Sequence, residues 1–190
     1  PPDRRNPRRG AGGNIRAVTP TRDGWMRIPS GHIAAALWDD GPMSNEDLFI
    51  CIDHVAYACP DADEASKYYQ ETFGWHELHR EENPEQGVVE IMMAPAAKLT
   101  EHMTQVQVMA PLNDESTVAK WLAKHNGRAG LHHMAWRVDD IDAVSATLRE
   151  RGVQLLYDEP KLGTGGNRIN FMHPKSGKGV LIELTQYPKN

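Results

Sequence analysis

Two histidines, a glutamine and a glutamate hold the chemistry that this sequence can do. Ile52-Asp53-His54-Val55-Ala56-Tyr57 returns as Leu131-His132-His133-Met134-Ala135-Trp136, so His54 and His133 occupy matching places 79 residues apart. Gln107 follows His54 by 53 residues and Glu183 follows His133 by 50, each set between apolar neighbours. A lone strand histidine is ordinarily a hydrogen-bonded core residue. Two at one shift, each with a polar partner at similar distance, argue for two modules sharing one cation. Two imidazoles, a carboxylate and an amide oxygen suit cobalt, manganese, nickel or zinc, and an octahedral ion would keep two positions for neighbouring substrate oxygens. His132 competes with His133, and Gln105, which shares a strand face with Gln107, competes with Gln107. The repeat pairs His132 with Asp53 and sets both on the helix-facing side. His76, His79, His102, His125 and His173 have no such partner and are expected to be structural or solvated.

A further carboxylate stands apart. Val89-Glu90-Ile91-Met92 aligns with Ile169-Asn170-Phe171-Met172 at a shift of 80, which opposes Glu90 to the neutral Asn170. Near a cation but not bound to it, Glu90 is a candidate general base. An apolar wall raises its pKa and a cation lowers it, so the sequence leaves the direction open. The alternative is an exposed rim position on an edge strand.

These residues must be positioned by strands. The chain from residue 48 reads as strand 48–58, helix 61–73, and strands at about 75–80, 88–93 and 104–109; a connecting helix, 116–125, follows. The order then repeats, with strand 131–138, helix 140–152, and strands 154–159, 168–173 and 179–186. Asp61 with Glu64 makes a capping-box-like start, Ala62, Ala65, Tyr69 and Phe73 form the apolar stripe, and Gly74 ends the helix. The pattern is α+β, two tandem βαβββ modules forming a curved mixed sheet around one metal site. Strand parity puts His54, Ala56 and Ala58 on one face, with His133 and Ala135, Gln107, and Glu183 on the matching faces.

Residues 1–42 read differently. They hold seven Arg, no Lys and four Asp, while the remainder holds the acidic excess behind the net charge of −5. Rich in Pro, Gly and Arg, this segment is expected to be disordered or added upstream of a start at Met43. The functional domain is expected over 43–190, with module one at about 48–112, the linker helix at about 116–125 and module two at about 130–187. The acidic main domain argues against nucleic acid, and no apolar run approaches the ~18 residues of a membrane span. Cys51 and Cys59 are too far apart on one strand to pair, which fits a reducing, cytoplasmic setting.

The stretches IDHVAYACPDADEASKYYQETFG, EQGVVEIMM, QVMAPLNDES, GLHHMAWRVDDIDA and GTGGNRINFMHPKSGKGVLIEL resemble the vicinal oxygen chelate superfamily and, within it, the methylmalonyl-CoA epimerases. The resemblance spans 43–190 and none of 1–42. It implies a homodimer with one divalent metal, cobalt first, held by His54, Gln107, His133 and Glu183. It also implies Glu90 as catalytic base, with Glu183 in a second proton-transfer role. The implied reaction interconverts the 2R and 2S forms of methylmalonyl-CoA through a metal-stabilised enolate. For the CoA moiety the expected contacts are Lys161, Arg168, Lys175 and Lys178 near the Gly163–Gly166 loop, with Asn170 at the substrate. Competing readings are a glyoxalase I-like isomerase, an extradiol dioxygenase, disfavoured by the fourth ligand, and a non-catalytic ligand-binding protein of the same fold.

Overall fold

The structure is a computed structural model that describes residues 48–100 and 103–189; the expectations for 1–42 and for His102 lie outside them. Module one runs β1 (Cys51–Ala58), α1 (Ala62–Phe73), β2 (His76–Asn83), β3 (Val88–Ala94) and β4 (Gln105–Pro111), and α2 (Thr117–Lys124) leads out of it. Module two runs β5 (Gly130–Arg137), α3 (Ile141–Glu150), β6 (Lys161–Leu162), a 3-10 turn at Thr164–Gly166, β7 (Arg168–Met172) and β8 (Ile182–Gln186).

Local chemistry sets the helix ends. Asp61 accepts the Glu64 N–H at 2.9 Å, and Asp140 accepts the Asp142 and Ala143 N–H groups at 3.1 and 3.0 Å, which satisfies donors a helix start leaves bare. α1 closes at Gly74, whose φ of 67° favours glycine. Its buried residues are Ala62 and Ser66. Phe73, expected on the inward stripe, is instead exposed and rests its ring edge on Tyr68.

The eight strands form one mixed sheet in the order β2-β3-β4-β1-β5-β8-β7-β6. Within each module the first strand lies parallel to the last, β1 to β4 and β5 to β8, and every other pairing is antiparallel. The two first strands meet antiparallel at the centre, so the halves are related by a local two-fold axis. The sheet curls. The turn after β6 reaches the far edge, where Gly165 N–H donates to Glu81 on β2 at 3.0 Å. α1 covers Ile91, Met93 and Val108 on the outer face, and α3 packs there against Leu184, Ile182 and Met172. α2 differs. It lays Val118 and Leu122 on Ala56, Ala58, Val88 and Met109, on the same face as the histidines, and so closes one end of the groove.

One expected strand is absent. Residues 154–159 keep only an isolated bridge, Leu155 to Met172. The Tyr157 and Asp158 carbonyls turn instead to the Arg149 guanidinium, and Pro160 offers no N–H. The buried Asn170 amide holds this segment, accepting Tyr157 N–H at 3.2 Å and donating to Tyr157 C=O at 3.0 Å. β8 also begins later than expected, because Lys178 and Gly179 have φ of 55° and 95°, incompatible with a strand. Asn170→Ala should therefore lower stability by about 1–3 kcal/mol by stranding the Tyr157 N–H, visible as a reduced urea midpoint. An unchanged midpoint would show that other contacts hold the segment.

Candidate metal and proton-transfer site

The central pairing places the donors. Across β1 and β5, His54 lies opposite Ala135 and Ala56 opposite His133. β4 adds Gln107 beside Ala56, and β8 adds Glu183 beside Ala135. Neighbours in register share a sheet face, so all four side chains rise from one patch into a cavity of about 760 Å³ that each of them lines. All four are buried.

Their free atoms converge. One donor atom each from His54, His133 and Glu183 lies within 4.8 Å of the others, and the two imidazole centroids are 5.6 Å apart. His133 Nε2 is 3.0 Å from Glu183 Oε2, yet without the alignment of a hydrogen bond. His54 Nε2, Gln107 Oε1 and His133 Nε2 are buried with no hydrogen-bond partner. Leaving such groups unmet costs about 1–3 kcal/mol each, and a divalent cation accepting three lone pairs and a carboxylate oxygen would remove that cost. The donor set therefore fits a borderline divalent ion. Gln107 suits this: its Nε2 donates to Glu90 Oε1 at 3.2 Å, while its buried Oε1 has no hydrogen-bond partner.

Glu90 is buried, which excludes the exposed-rim alternative. Burial is the largest influence on its carboxyl and pushes the pKa up; the Thr164 hydroxyl pulls it down and the charge of Glu183 adds to the rise. Thr164 donates to Glu90 Oε2, so a turn of module two rests on the carboxylate of module one. That contact was not legible in the sequence, which marked the Gly163–Gly166 loop without giving it a partner.

The register corrects the expected counterpart of Glu90. Met92 sits beside Gln107 and Glu90 beside Met109, while Phe171 sits beside Glu183 and Ile169 beside Thr185. Glu90 therefore matches Ile169, at a shift of 79, and not Asn170. A slip of one residue moves a side chain to the other face. Ile169 and Phe171 line the cavity, whereas the Asn170 amide is engaged with Tyr157. The other expected substrate contacts also lie off the cavity lining. Lys161 Nζ sits 4.1 Å from the Tyr157 ring centroid, Arg168 makes a bidentate pair with Asp142 at 2.6 and 2.9 Å, and Lys175 is exposed.

Asp53 is the second correction. It is not on the helix side but buried beside His54, whose Nδ1 lies 2.9 Å from Asp53 Oδ1. Arg137 binds the other oxygen through Nε at 2.8 Å and through its terminal nitrogen at 2.7 Å. Burial opposes ionisation of Asp53, but His54 and Arg137 outweigh it and hold the carboxyl below its usual value. His132 also lines the cavity, and burial, reinforced by His133, lowers its pKa to about 4. Of the histidines set aside in the sequence, His79 pairs with Glu81, His125 stacks on Trp121, and His173 accepts the Lys175 N–H.

Residues 53–171 match the family model described as Glyoxalase/Bleomycin resistance protein/Dioxygenase superfamily. The chain is 35% identical over 136 residues to the ethylmalonyl-CoA/methylmalonyl-CoA epimerase of Cereibacter sphaeroides, covering 71% of this chain and 96% of that protein. It is 30% identical to the mitochondrial methylmalonyl-CoA epimerase of Homo sapiens, covering 83% of this chain and 81% of that one. Among solved structures, it resembles methylmalonyl-CoA epimerase from Mycobacterium tuberculosis at a TM-score of 0.68 and 40% identity, over 77% of this chain and 94% of that chain. A structure of methylmalonyl-CoA epimerase in complex with methylmalonyl-CoA and NH4+ is similar at a TM-score of 0.67 and 43% identity, over 73% of this chain and 94% of that chain.

The donor geometry makes a direct prediction. Zinc at roughly a hundredfold excess over its Kd should add about 2.7 kcal/mol to the unfolding free energy, read by thermal melts with and without chelator. His133→Ala should stay folded and lose that increment. A wild-type melt insensitive to zinc, cobalt and manganese would remove the metal reading.

Proposed function

The chain belongs to the Glyoxalase/Bleomycin resistance protein/Dioxygenase superfamily and, within it, to the family of the methylmalonyl-CoA epimerases; on that premise we propose that it interconverts the 2R and 2S forms of methylmalonyl-CoA with one divalent metal ion per subunit. The observation that carries this reading is the convergence of unsatisfied His54, Gln107 and His133 atoms and the Glu183 carboxylate beside a buried Glu90 whose pKa burial raises. Cobalt is the first candidate, with manganese, nickel and zinc also suited to the donors.

The hydrogen to be moved sits on C2, between a thioester and a carboxylate. The bound cation supplies Lewis-acid stabilisation of the negative charge that builds on the substrate oxygens when that C–H bond breaks. The protein supplies the rest. Glu90 takes the C2 proton on one face, and its raised pKa brings it nearer to the working pH of a general base. Gln107 Nε2 and the Thr164 hydroxyl hold the two Glu90 oxygens in place, and a carboxylate with about four lone-pair sites retains room to accept a proton. Glu183, from the other module, would return a proton to the opposite face: in this direction it begins as the acid and ends as the carboxylate while Glu90 does the reverse, and the back reaction exchanges the two states. Met92, Ile169 and Phe171 keep the cavity apolar around the reacting carbon. Inversion needs two acid/base groups on opposite sides, and Glu90 on β3 with Glu183 on β8 supplies them from opposite halves of the sheet.

The assembly we propose is a homodimer, supported by Ile50 and Ile52, which stand exposed beside Trp136. The cytoplasmic setting is supported by the free thiols of Cys51 and Cys59; among the described residues, no helix is long and apolar enough to cross a membrane.

Incubating the metal-loaded protein with (2R)-methylmalonyl-CoA in deuterated water should place deuterium at C2. Chelator should abolish the exchange, and Glu90→Gln should slow it by about 10²–10⁴-fold. No exchange in the loaded wild type would defeat the proposal. Residues 43–190 are proposed as the functional domain, so a chain lacking 1–42 should turn over at the full-length rate; a tenfold loss would assign that segment a role.

A further inference from the structure

The β1–β5 ladder skips one residue on each strand. Ile52 pairs with Trp136 and His54 with Ala135, which leaves Asp53 unmatched; Ala56 pairs with His133 and Tyr57 with Leu131, which leaves His132 unmatched. Asp53 and His132 are equivalent in the repeat, so the two bulges are related by the local two-fold axis. A bulge breaks the alternation of a strand and re-aims the extra side chain. Here each extra side chain comes to the same face as the residue after it and meets that residue's ring at the same atom. Asp53 Oδ1 is 2.9 Å from His54 Nδ1, and His132 Nδ1 is 2.9 Å from His133 Nδ1.

We propose that Asp53 and His132 are paired positioning residues, each accepting the Nδ1 proton of the following histidine so that its bare Nε2 faces the cavity. The inference rests on the reading of His54 and His133 as metal ligands and assigns what prepares them. A neutral imidazole carries one N–H, and the partner at one nitrogen decides which. A ligating ring needs the proton away from the metal, and an acceptor at Nδ1 both fixes that tautomer and holds the plane of the ring.

The geometry supports each half. Asp53 as a carboxylate can only accept from Nδ1, and its second oxygen is fixed by the Arg137 guanidinium. Arg137 is in turn held over the Tyr187 ring, 4.3 Å from the centroid, and donates to the Tyr187 hydroxyl at 3.2 Å. His132 accepts at Nδ1 when its own proton is on Nε2, and Trp121 flanks its ring at 5.7 Å between centroids. The Nε2 atoms of His54 and His133 are those found buried without a hydrogen-bond partner, and His133 Nε2 has the Glu183 carboxylate 3.0 Å away but out of hydrogen-bond alignment. The two supports are not equal. An anionic acceptor makes His54 the more electron-rich ligand, and a neutral one leaves His133 the weaker.

The test begins on the metal-free protein. In ¹⁵N-histidine spectra at alkaline pH, both rings should carry the proton on Nδ1 alone; a proton on Nε2 of either ring overturns the inference. Zinc affinity, read by competition with a chromophoric chelator, supplies the second arm. His132→Phe should weaken binding roughly 10–100-fold, and His132→Gln, whose carbonyl can accept from Nδ1, should recover most of it. Asp53→Asn should fall between wild type and Asp53→Ala. His132→Phe binding zinc as tightly as wild type would also overturn the inference. A wild type that binds no metal at all would defeat the proposed function, while the ring tautomers would still decide this assignment.

Discussion

Everything at the site depends on the antiparallel pairing of β1 with β5. Each of these strands is the first of its module, and each brings one imidazole. Because the strands run in opposite directions with His54 opposite Ala135 and Ala56 opposite His133, the rings sit diagonally across the pair. In an antiparallel ladder such positions are roughly 7–8 Å apart at the backbone, within reach of two imidazoles. The parallel partners then fall into place, since β4 follows β1 and β8 follows β5 by the same crossover. No loop positions a candidate ligand. The donors stand on the four central strands of an eight-stranded sheet, where each backbone is paired on both sides and the geometry is hard to deform.

The scaffold is symmetric where a cation would be held and asymmetric where protons would move. Glu90 has Ile169 as its counterpart, so one wall of the cavity carries a carboxylate and the other a branched alkyl group. The Thr164 hydroxyl crosses from module two to the Glu90 carboxylate, and Gly165 crosses to Glu81 beside it. Ile169 helps to aim that turn: a side chain on Gly163 would meet its alkyl carbons at 2.9 Å, so the glycine allows the turn to lie against it. The same position is thus an acid in one module and a support for the turn over that acid in the other.

The sequence made the four converging polar side chains and the module order legible because both follow from local signals: a repeated hexapeptide, alternation along strands, and capping residues before each helix. Its failures share one cause. Parity holds only while a strand pairs without interruption, and the bulges at Asp53 and His132 depend on the partner strand, which no local pattern reveals. The match of Glu90 to Asn170 followed residue resemblance between Met92 and Met172, whereas pairing to β4 and β8 sets Met92 against Phe171. Segment 154–159 carries a short apolar run, Leu155-Leu156-Tyr157, that reads as a strand, but its Tyr157 and Asp158 carbonyls are claimed by Arg149 and its N–H at Tyr157 by Asn170. The two tertiary partners outweigh a local propensity that was real.

The two alanines at the centre are as telling as the donors. Ala56 lies between Gln107 and His133 in the sheet, and Ala135 lies between His54 and Glu183. Both are fully buried. They are the floor above which four long side chains meet, and a methyl group is close to the largest substituent that leaves the point of convergence open. A valine or leucine there would fill the volume that a cation needs while satisfying every rule of strand propensity. Ala56 has a further neighbour in α2, whose Val118 and Leu122 pack on Ala56 and Ala58 and close that end of the groove. The repeat therefore conveys more than two histidines. In His-Val-Ala and His-Met-Ala it also sets the small residue two places on that allows the opposite imidazole to reach across.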